Sequence, residues 1–440
     1  MNKNIESWAR QQFEELNFRD KRLNKRAQLI ACNMMKKPSA SINMQSENWS
    51  ESKGAYRFFD SEKVSFQELI KPHINLVKSK SNSLEIVLAI QDTCYISYGH
   101  HPSVTDLGHI GAEETSGVIL HNTLAVNPSS KYPSVIGVLD QWIHNRKNTK
   151  DEEWKETELW KEASSRIKLD ITKTKVVEVM DREGGVFDII KHCLSLKHEF
   201  LIRTKSNRYV KNPFRHQIIE AASKVIAAGN IEIDVQKKKG QKKRKAKLEV
   251  KYLPIEIPGS HGRKDESIYC NLVQVVEINP PKNQEPLSWY LLTSVEVNDL
   301  EDALKVIEWY RYRWIIEEYH KCIKTGCKVE SKQLKSSFRI ENYLGIAGII
   351  AVKLLQIRDL MRINPNELAS LVVDPLSLKI IQNYHKMDKE LTIKEFQILV
   401  AKMGGFLNRK SDGNPGWQTL WKGQLQLFWM VEGAKTILGV

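Results

Sequence analysis

Leu84-Glu-Ile-Val-Leu-Ala-Ile-Gln-Asp92-Thr-Cys-Tyr-Ile-Ser-Tyr98 is the stretch whose reading decides the fold. It reads as a β-strand, and Asp92 sits inside an otherwise apolar run. A buried carboxylate is costly unless it is paired or binds a metal. Taken alone, Asp92 is open to either reading, a partner for a nearby base or a ligand.

Two more apolar, β-branched strands follow, Gly117-Val-Ile-Leu-His-Asn-Thr-Leu-Ala-Val126 and Ser134-Val-Ile-Gly-Val-Leu-Asp140. A charged helix is expected over about 151–168. Lys175-Val-Val-Glu-Val-Met-Asp181 is then a strand that ends on an acid. A helix over 185–196 leads to the strand Glu199-Phe-Leu-Ile-Arg203. The first strand holds one carboxylate and the fourth closes on another. This order predicts an α/β fold with an RNase H-like catalytic core, a mixed sheet flanked by helices.

Farther out, residues 228–296 carry strand patterns such as Lys247-Leu-Glu-Val-Lys-Tyr252 and Trp289-Tyr-Leu-Leu-Thr293. They are expected to form an inserted β-subdomain. Its tip, Lys237 to Lys247, is the densest charge in the chain. Such a run is ordinarily a solvated loop, and it also suits a phosphate backbone, with Lys242, Lys243 and Arg244 as candidates. Residues 1–70 read as a helical DNA-binding unit in which Lys21, Arg22, Lys25 and Arg26 crowd one segment; a solvated helical face is the plain alternative. From about 340 the pattern is helical to the end, broken at Gly404-Gly405 and Gly413–Gly416. The expected units are 1–70, a catalytic domain over 71–365 with its insertion, and a helical domain over 366–440.

The chain has 440 residues, 41% of them hydrophobic, and a formal net charge of +14. That length exceeds one ordinary core. No apolar run reaches the roughly 18 residues of a membrane span, and Met1-Asn-Lys-Asn-Ile-Glu has no apolar signal core. A soluble, intracellular protein with no membrane partner is expected. The positive excess favours a polyanion, most often nucleic acid. The six cysteines are scattered without a CxxC pair and read as reduced packing residues.

A helix is expected from Asp299 to about Lys324. Within it, Tyr310, Arg313, Glu317, Lys321 and Lys324 are spaced by three, four, four and three residues. At about 100° per residue they fall within roughly 80° of one another. Ile315, Ile316, Tyr319 and Ile323 take the opposite side. One acid framed by three bases and a phenol suits a metal-binding carboxylate whose neighbours hold phosphates. With Asp92 and Asp181 it makes a set of three hard oxygen ligands, suited to Mg²⁺ or Mn²⁺. Glu318 points about 100° away and reads as a surface or ion-pairing residue.

Tyr310-x2-Arg313-x3-Glu317-x6-Lys324 resembles the YREK signature of the bacterial DDE transposases of the insertion-sequence-four family. Ala-Ile-Gln-Asp92-Thr and Val-Met-Asp181-Arg-Glu match that family's first two acids. Further matching stretches are Gly54-Ala-Tyr-Arg-Phe58, Glu277-Ile-Asn-Pro-Pro-Lys282, Pro286-Leu-Ser-Trp289 and Gly404-Gly-Phe406, so the resemblance runs nearly end to end. It is looser over residues 1–70 and weakest over the last 75.

The resemblance implies a Mg²⁺-dependent enzyme using two ions, with Mn²⁺ able to substitute. It implies cut-and-paste transposition through a DNA hairpin, carried by Asp92, Asp181 and Glu317. The partners implied are double-stranded DNA, both the element's terminal inverted repeats and the target, and a second copy of the chain in a synaptic complex. The C-terminal helices would mediate that dimer. Trp289 matches a tryptophan that stacks on a flipped base, although its spacing alone reads as strand core. Tyr310, Arg313, Lys324, Arg203 and Lys321 match phosphate contacts. The location implied is the bacterial cytoplasm, at the nucleoid. An RNase H-like nuclease and a catalytically silent DNA-binding regulator are the alternatives.

Overall fold

The computed structural model describes residues 2–111, 115–129, 132–146, 155–204, 207–212, 216–235, 244–259, 266–282, 284–410 and 412–439. Five helices lead: α1 (Asn2–Phe13), α2 (Lys21–Lys36), α3 (Ile42–Gln45), α4 (Trp49–Phe59) and α5 (Phe66–Ser81). Polar side chains set their starts by accepting from first-turn N–H groups: Asp20 from Arg22, Ser41 from Met44, Asn48 from Glu51 and Ser65 from Glu68. Phe13, Ile30, Met34, Phe58 and Phe59 bury the inner faces. Residue 70, expected as a unit boundary, lies inside α5, where Leu69, Ile70 and Val77 are buried. His73 of α5 joins α1 to the sheet, with Nδ1 2.5 Å from Gln12 Oε1 and Nε2 accepting from the Val138 N–H at 3.0 Å.

The central sheet contains β1 (Ile86–Ser97), β2 (Gly108–Ile110), β3 (Thr115–Asn127), β4 (Ser134–His144), β5 (Lys175–Met180) and β6 (Glu199–Arg203). β1, β3 and β4 pair antiparallel; β5 and β6 join β1 in parallel. The parallel crossovers are made by α6 (Glu156–Ile167) and α7 (Phe187–Ser195). Covered on both faces, Val87 to Ile90 are all fully buried, as their unbroken apolar run requires. This is the RNase H-like arrangement that the sequence predicts.

After α8 (Ile218–Ser223) come β7 (Gly229–Val235), β8 (Arg244–Pro258), β9 (Ser267–Glu277) and β10 (Ser288–Thr293). They are the inserted β-strands, and they extend the same ten-stranded sheet. β10 pairs antiparallel with β6, Leu292 opposite Ile202, and carries β9, β8 and β7 beyond it. Leu291 and Leu292 are fully buried. An otherwise bare β6 edge, with its unpaired N–H and C=O groups, is thereby closed.

The long helix predicted up to Lys324 is divided. α9 (Leu300–Tyr312) and α10 (Trp314–Lys321) meet at Arg313, and the chain then widens into a π-helical turn over Cys322–Gly326. At the junction the Arg313 N–H reaches the Tyr310 carbonyl, and the Ile316 N–H reaches that of Arg313, each at 3.1 Å. These three-residue bonds tighten the turn.

The remaining helices are α11 (Ser337–Ile363), α12 (Pro375–His385), α13 (Ile393–Met403) and α14 (Trp417–Leu438). α11 is apolar on nearly every side and is buried from Asn342 to Val352. It is wedged among the leading helices, the sheet and the closing helices. No helix among the described residues is long and apolar enough to cross a membrane. All six cysteines are buried free thiols.

Candidate active site

The parallel register of β1 and β5 pairs Leu88 with Val177 and Ile90 with Val179. Asp92 follows two residues after Ile90 and Asp181 two after Val179, and Asp181 is in electrostatic range of Asp92. Asp92 Oδ1 accepts from the Thr93 N–H, and Asp181 Oδ1 from the Glu183 N–H, each at 2.8 Å. Burial pushes the Asp92 carboxyl up to about 7, and the neighbouring charge of Asp181 adds to this. The Thr93 N–H and Arg313 oppose the rise, and Glu317 adds a smaller push.

Glu317 comes from α10. The Arg313 guanidinium lies 2.5 Å from its Oε1 and 3.7 Å from Asp92 Oδ2. One planar cation thus spans two of the three acids and offsets the repulsion of their gathering. Among the described residues, no three such side chains stand close enough to ligate a single ion. The donor set nevertheless fits a hard divalent ion: three carboxylates in electrostatic contact, one largely desolvated, with a positive charge already between them.

A groove of about 1100 Å³ opens alongside. Arg203, Trp289, Tyr310 and Arg313, all picked out in the sequence, line it. Arg203 donates to the Ser288 carbonyl at 2.9 Å. Trp289 and Tyr310 lie with ring centroids 6.3 Å apart at 59°. Trp289 is half-buried on the groove wall, whereas the strand core is supplied by Leu291 and Leu292. Tyr310 is itself buried, and the Arg313 guanidinium carbon lies 6.0 Å from its ring centroid. Two further groove residues escaped the sequence reading, Arg182 and Trp314. Trp314 is 61% exposed on α10, and a large aromatic turned outward beside a basic groove is a signal visible only once the helix faces are known.

Arg244 also lines this groove; the other candidates lie elsewhere. Lys324 falls in the π turn, outside the groove walls, with Nζ 3.4 Å from Glu330 Oε1. The wider turn moves it off the helical face on which spacing had set it. Lys321 is exposed on the last turn of α10. Glu318 is ion-paired with the buried Arg358 of α11, in keeping with its reading as a pairing residue. Arg244 is engaged in a two-pronged pair with Glu277, one contact being 3.0 Å, so it is not an unengaged loop charge. Lys242 and Lys243 lie outside the described residues. On α2, Lys21, Arg22 and Lys25 are exposed, and Arg22 turns back to Asp20 at 3.3 Å. Arg26 packs over α4, where a Cβ on Gly54 would sit 2.8 Å from its guanidinium.

Two buried polar clusters brace the acids. Asn122, opposite Asp92 in the β1–β3 register, lies 3.0 Å from His320 Nε2 of α10. Gln141 of β4 donates to Asn122 Oδ1 at 2.7 Å and to the Tyr319 hydroxyl at 3.0 Å. Gly348 of α11 permits this, since a Cβ there would lie 2.9 Å from the Gln141 amide. Burial holds His320 down at about 3, so it is neutral. In the second cluster the fully buried Glu178 of β5 accepts from Gln91 and Ser164, each at 2.5 Å, and lies 2.7 Å from His198 Nδ1.

Comparison with known proteins divides the chain into three consecutive matches. Residues 5–64 match the family described as transposase DNA-binding, and residues 121–352 match the transposase DDE domain. Residues 349–438 match the transposase Tn5 dimerisation domain. Among solved structures the chain is similar to a piggyBac transposase synaptic complex with hairpin DNA, at 8% identity and a TM-score of 0.32. That match covers 78% of this chain and 57% of the other, so the chain spans little more than half the length of that protein.

Proposed function

This chain belongs to the transposase DDE-domain family, and from that membership we propose that it is a Tn5-like DNA transposase of the insertion-sequence-four type. It would cut and rejoin DNA at Asp92, Asp181 and Glu317. The observation that carries this reading is that Arg313 joins Asp92 to Glu317, with Asp181 in electrostatic range of Asp92, beside a basic groove walled by tryptophan.

Asp92, Asp181 and Glu317 would hold two Mg²⁺ ions, with Mn²⁺ able to substitute. When bound, such ions would help activate the attacking oxygen and stabilise the leaving one. Asp92 is carried by β1 and Asp181 directly follows β5, so both are held by the sheet. Glu317 and Arg313 are the adjustable members. When Arg313 lets go of the acids, its guanidinium is positioned to take a phosphate oxygen by paired N–H groups. Trp289 and Trp314 would receive an unstacked base, at about 1–3 kcal/mol per base stacked on an aromatic. Arg182 and Arg203 add charge that fixes register without reading sequence.

The reaction order proposed is that of hairpin transposition. Water frees a 3′-OH at the element's end. That 3′-OH attacks the opposite strand to close a hairpin, a second water opens it, and the 3′-OH then joins target DNA. Every step is an in-line displacement at phosphorus, so one site serves all four. End recognition falls to residues 1–70, and two protomers pair through residues 366–440, with the catalytic domain between.

The test is incubation of the protein with Mg²⁺ and DNA carrying its own element's ends. Release of the element with hairpin termini is expected. Glu317→Gln should lower cleavage by at least about a thousandfold, the scale of losing a transition-state charge stabiliser, while end binding in a gel shift persists. Nicks without hairpins would favour a nuclease, and binding alone a regulator.

A further inference from the structure

We propose that the cavity between the leading and closing helices is a binding site for a small amphipathic molecule with an aromatic body, a hydrogen-bond donor and an acidic group. The cavity measures about 370 Å³ and lies where α1, α2, α11, α13 and α14 meet. Its walls are chiefly apolar, among them Trp8, Met35, Ile357, Phe396, Trp421 and Phe428. Protein interiors pack closely, with few voids larger than a water. A space of this size, at a junction between units, falls within the range of drug-sized ligand pockets.

Gln397 gives the cavity its polar address. This residue is 4% exposed and lies in the wall. Its amide Nε2 donates to the Ile357 carbonyl at 2.7 Å. The other end, Oε1, is buried with no hydrogen-bond partner among the described residues. An unsatisfied buried acceptor is destabilising. A ligand N–H or O–H would remove that cost.

The charge at the wall sets the acid preference. Lys353 lines the cavity, and burial pulls its ammonium below the usual lysine range, with the like charge of Lys80 adding to this. Lys36 is a second lining cation, already paired with Glu47 at 3.2 Å. Asp374 also lines the cavity and has a partner of its own. Lys353 is therefore the cation left to meet an acidic group. An occupant would touch both the segment that matches the DNA-binding family and the one that matches the dimerisation family.

Two dyes test this on the full chain without DNA. Anilinonaphthalenesulfonate carries fused and single rings, an N–H and a sulfonate; N-phenyl-1-naphthylamine has the same rings and N–H but no sulfonate. Fluorescence titration should give one site per chain for each. Gln397→Leu, close in volume, should weaken both dyes by about fivefold or more, the scale of one hydrogen bond. Lys353→Met should weaken only the sulfonate. Thermal melts would check that both variants are folded. Wild-type affinity for both dyes in both folded variants, or a stoichiometry other than one, would overturn the assignment.

Discussion

Arg313 is held by two acids and is also a wall of the basic groove. Removing it leaves Asp92, Asp181 and Glu317 facing one another with no cation between. Arg313→Met is expected to melt lower than the wild type in EDTA, by about 1 °C for each kcal/mol lost in a chain of this length. Millimolar Mg²⁺ should raise its melting temperature more than that of the wild type, because the ion then has no guanidinium to displace. Equal Mg²⁺ shifts would mean that Arg313 is not in the ion's place. Trp289→Ala, by contrast, should leave the first nick largely intact and impair hairpin formation on the same labelled end; equal loss of both would make Trp289 a scaffold residue. Asp92 and Glu317 were legible in the sequence because a charge in an apolar strand, or alone on a basic helical face, is conspicuous. Glu178 sends the same signal from β5, yet Gln91, Ser164 and His198 satisfy it completely. Those partners come from three other segments, and no local pattern announces them. Trp314 and Arg182 were unreadable for the same reason.

At the scale of elements, apolar alternation located nearly every strand, but not the pairing of β10 with β6, which depends on partners about 90 residues apart. Nor did 3.6-residue periodicity foretell the break at Arg313 or the π turn, since both preserve the apolar face on average. The link between the leading helices and the core is equally non-local. Lys332, 2% exposed, donates to the Pro38 carbonyl at 3.3 Å and the Ala40 carbonyl at 2.5 Å. Burial pulls its ammonium down to about 8 from 10.5. The sign follows directly. Below pH 8 both folded and unfolded chains keep the proton, and the cost of a buried charge is carried in full. Between about 8 and 10.5 the folded chain sheds a proton that the unfolded chain retains, so this group's contribution to stability rises with pH. Lys332→Met should lack that rise. Urea midpoints of the two proteins across this window measure the difference, and parallel curves would show that Lys332 does not titrate there.

For the whole molecule, the excess of positive charge pointed to nucleic acid, but composition could not say how the units meet. α11 settles that arrangement by touching all of them. The apolar face that the closing helices leave uncovered has its own consequence. Ile437 and Leu438 at the end of α14 are 87% and 62% exposed, within the segment that matches the dimerisation family. Exposed aliphatic side chains at a helix end, in such a segment, are suited to a second copy of the same face, where burying a leucine or isoleucine is worth about 1.5–3 kcal/mol. A two-fold pairing uses each contact twice, so charges introduced there are penalised in both protomers. Ile437→Asp with Leu438→Asp is therefore expected to leave the complex of one chain with one end intact and to remove the complex that joins two ends. Gel shifts with a single labelled end, read beside light scattering of the protein–DNA complexes, separate the two species. Paired complexes that survive both substitutions would move the dimer contact to another face of the closing helices.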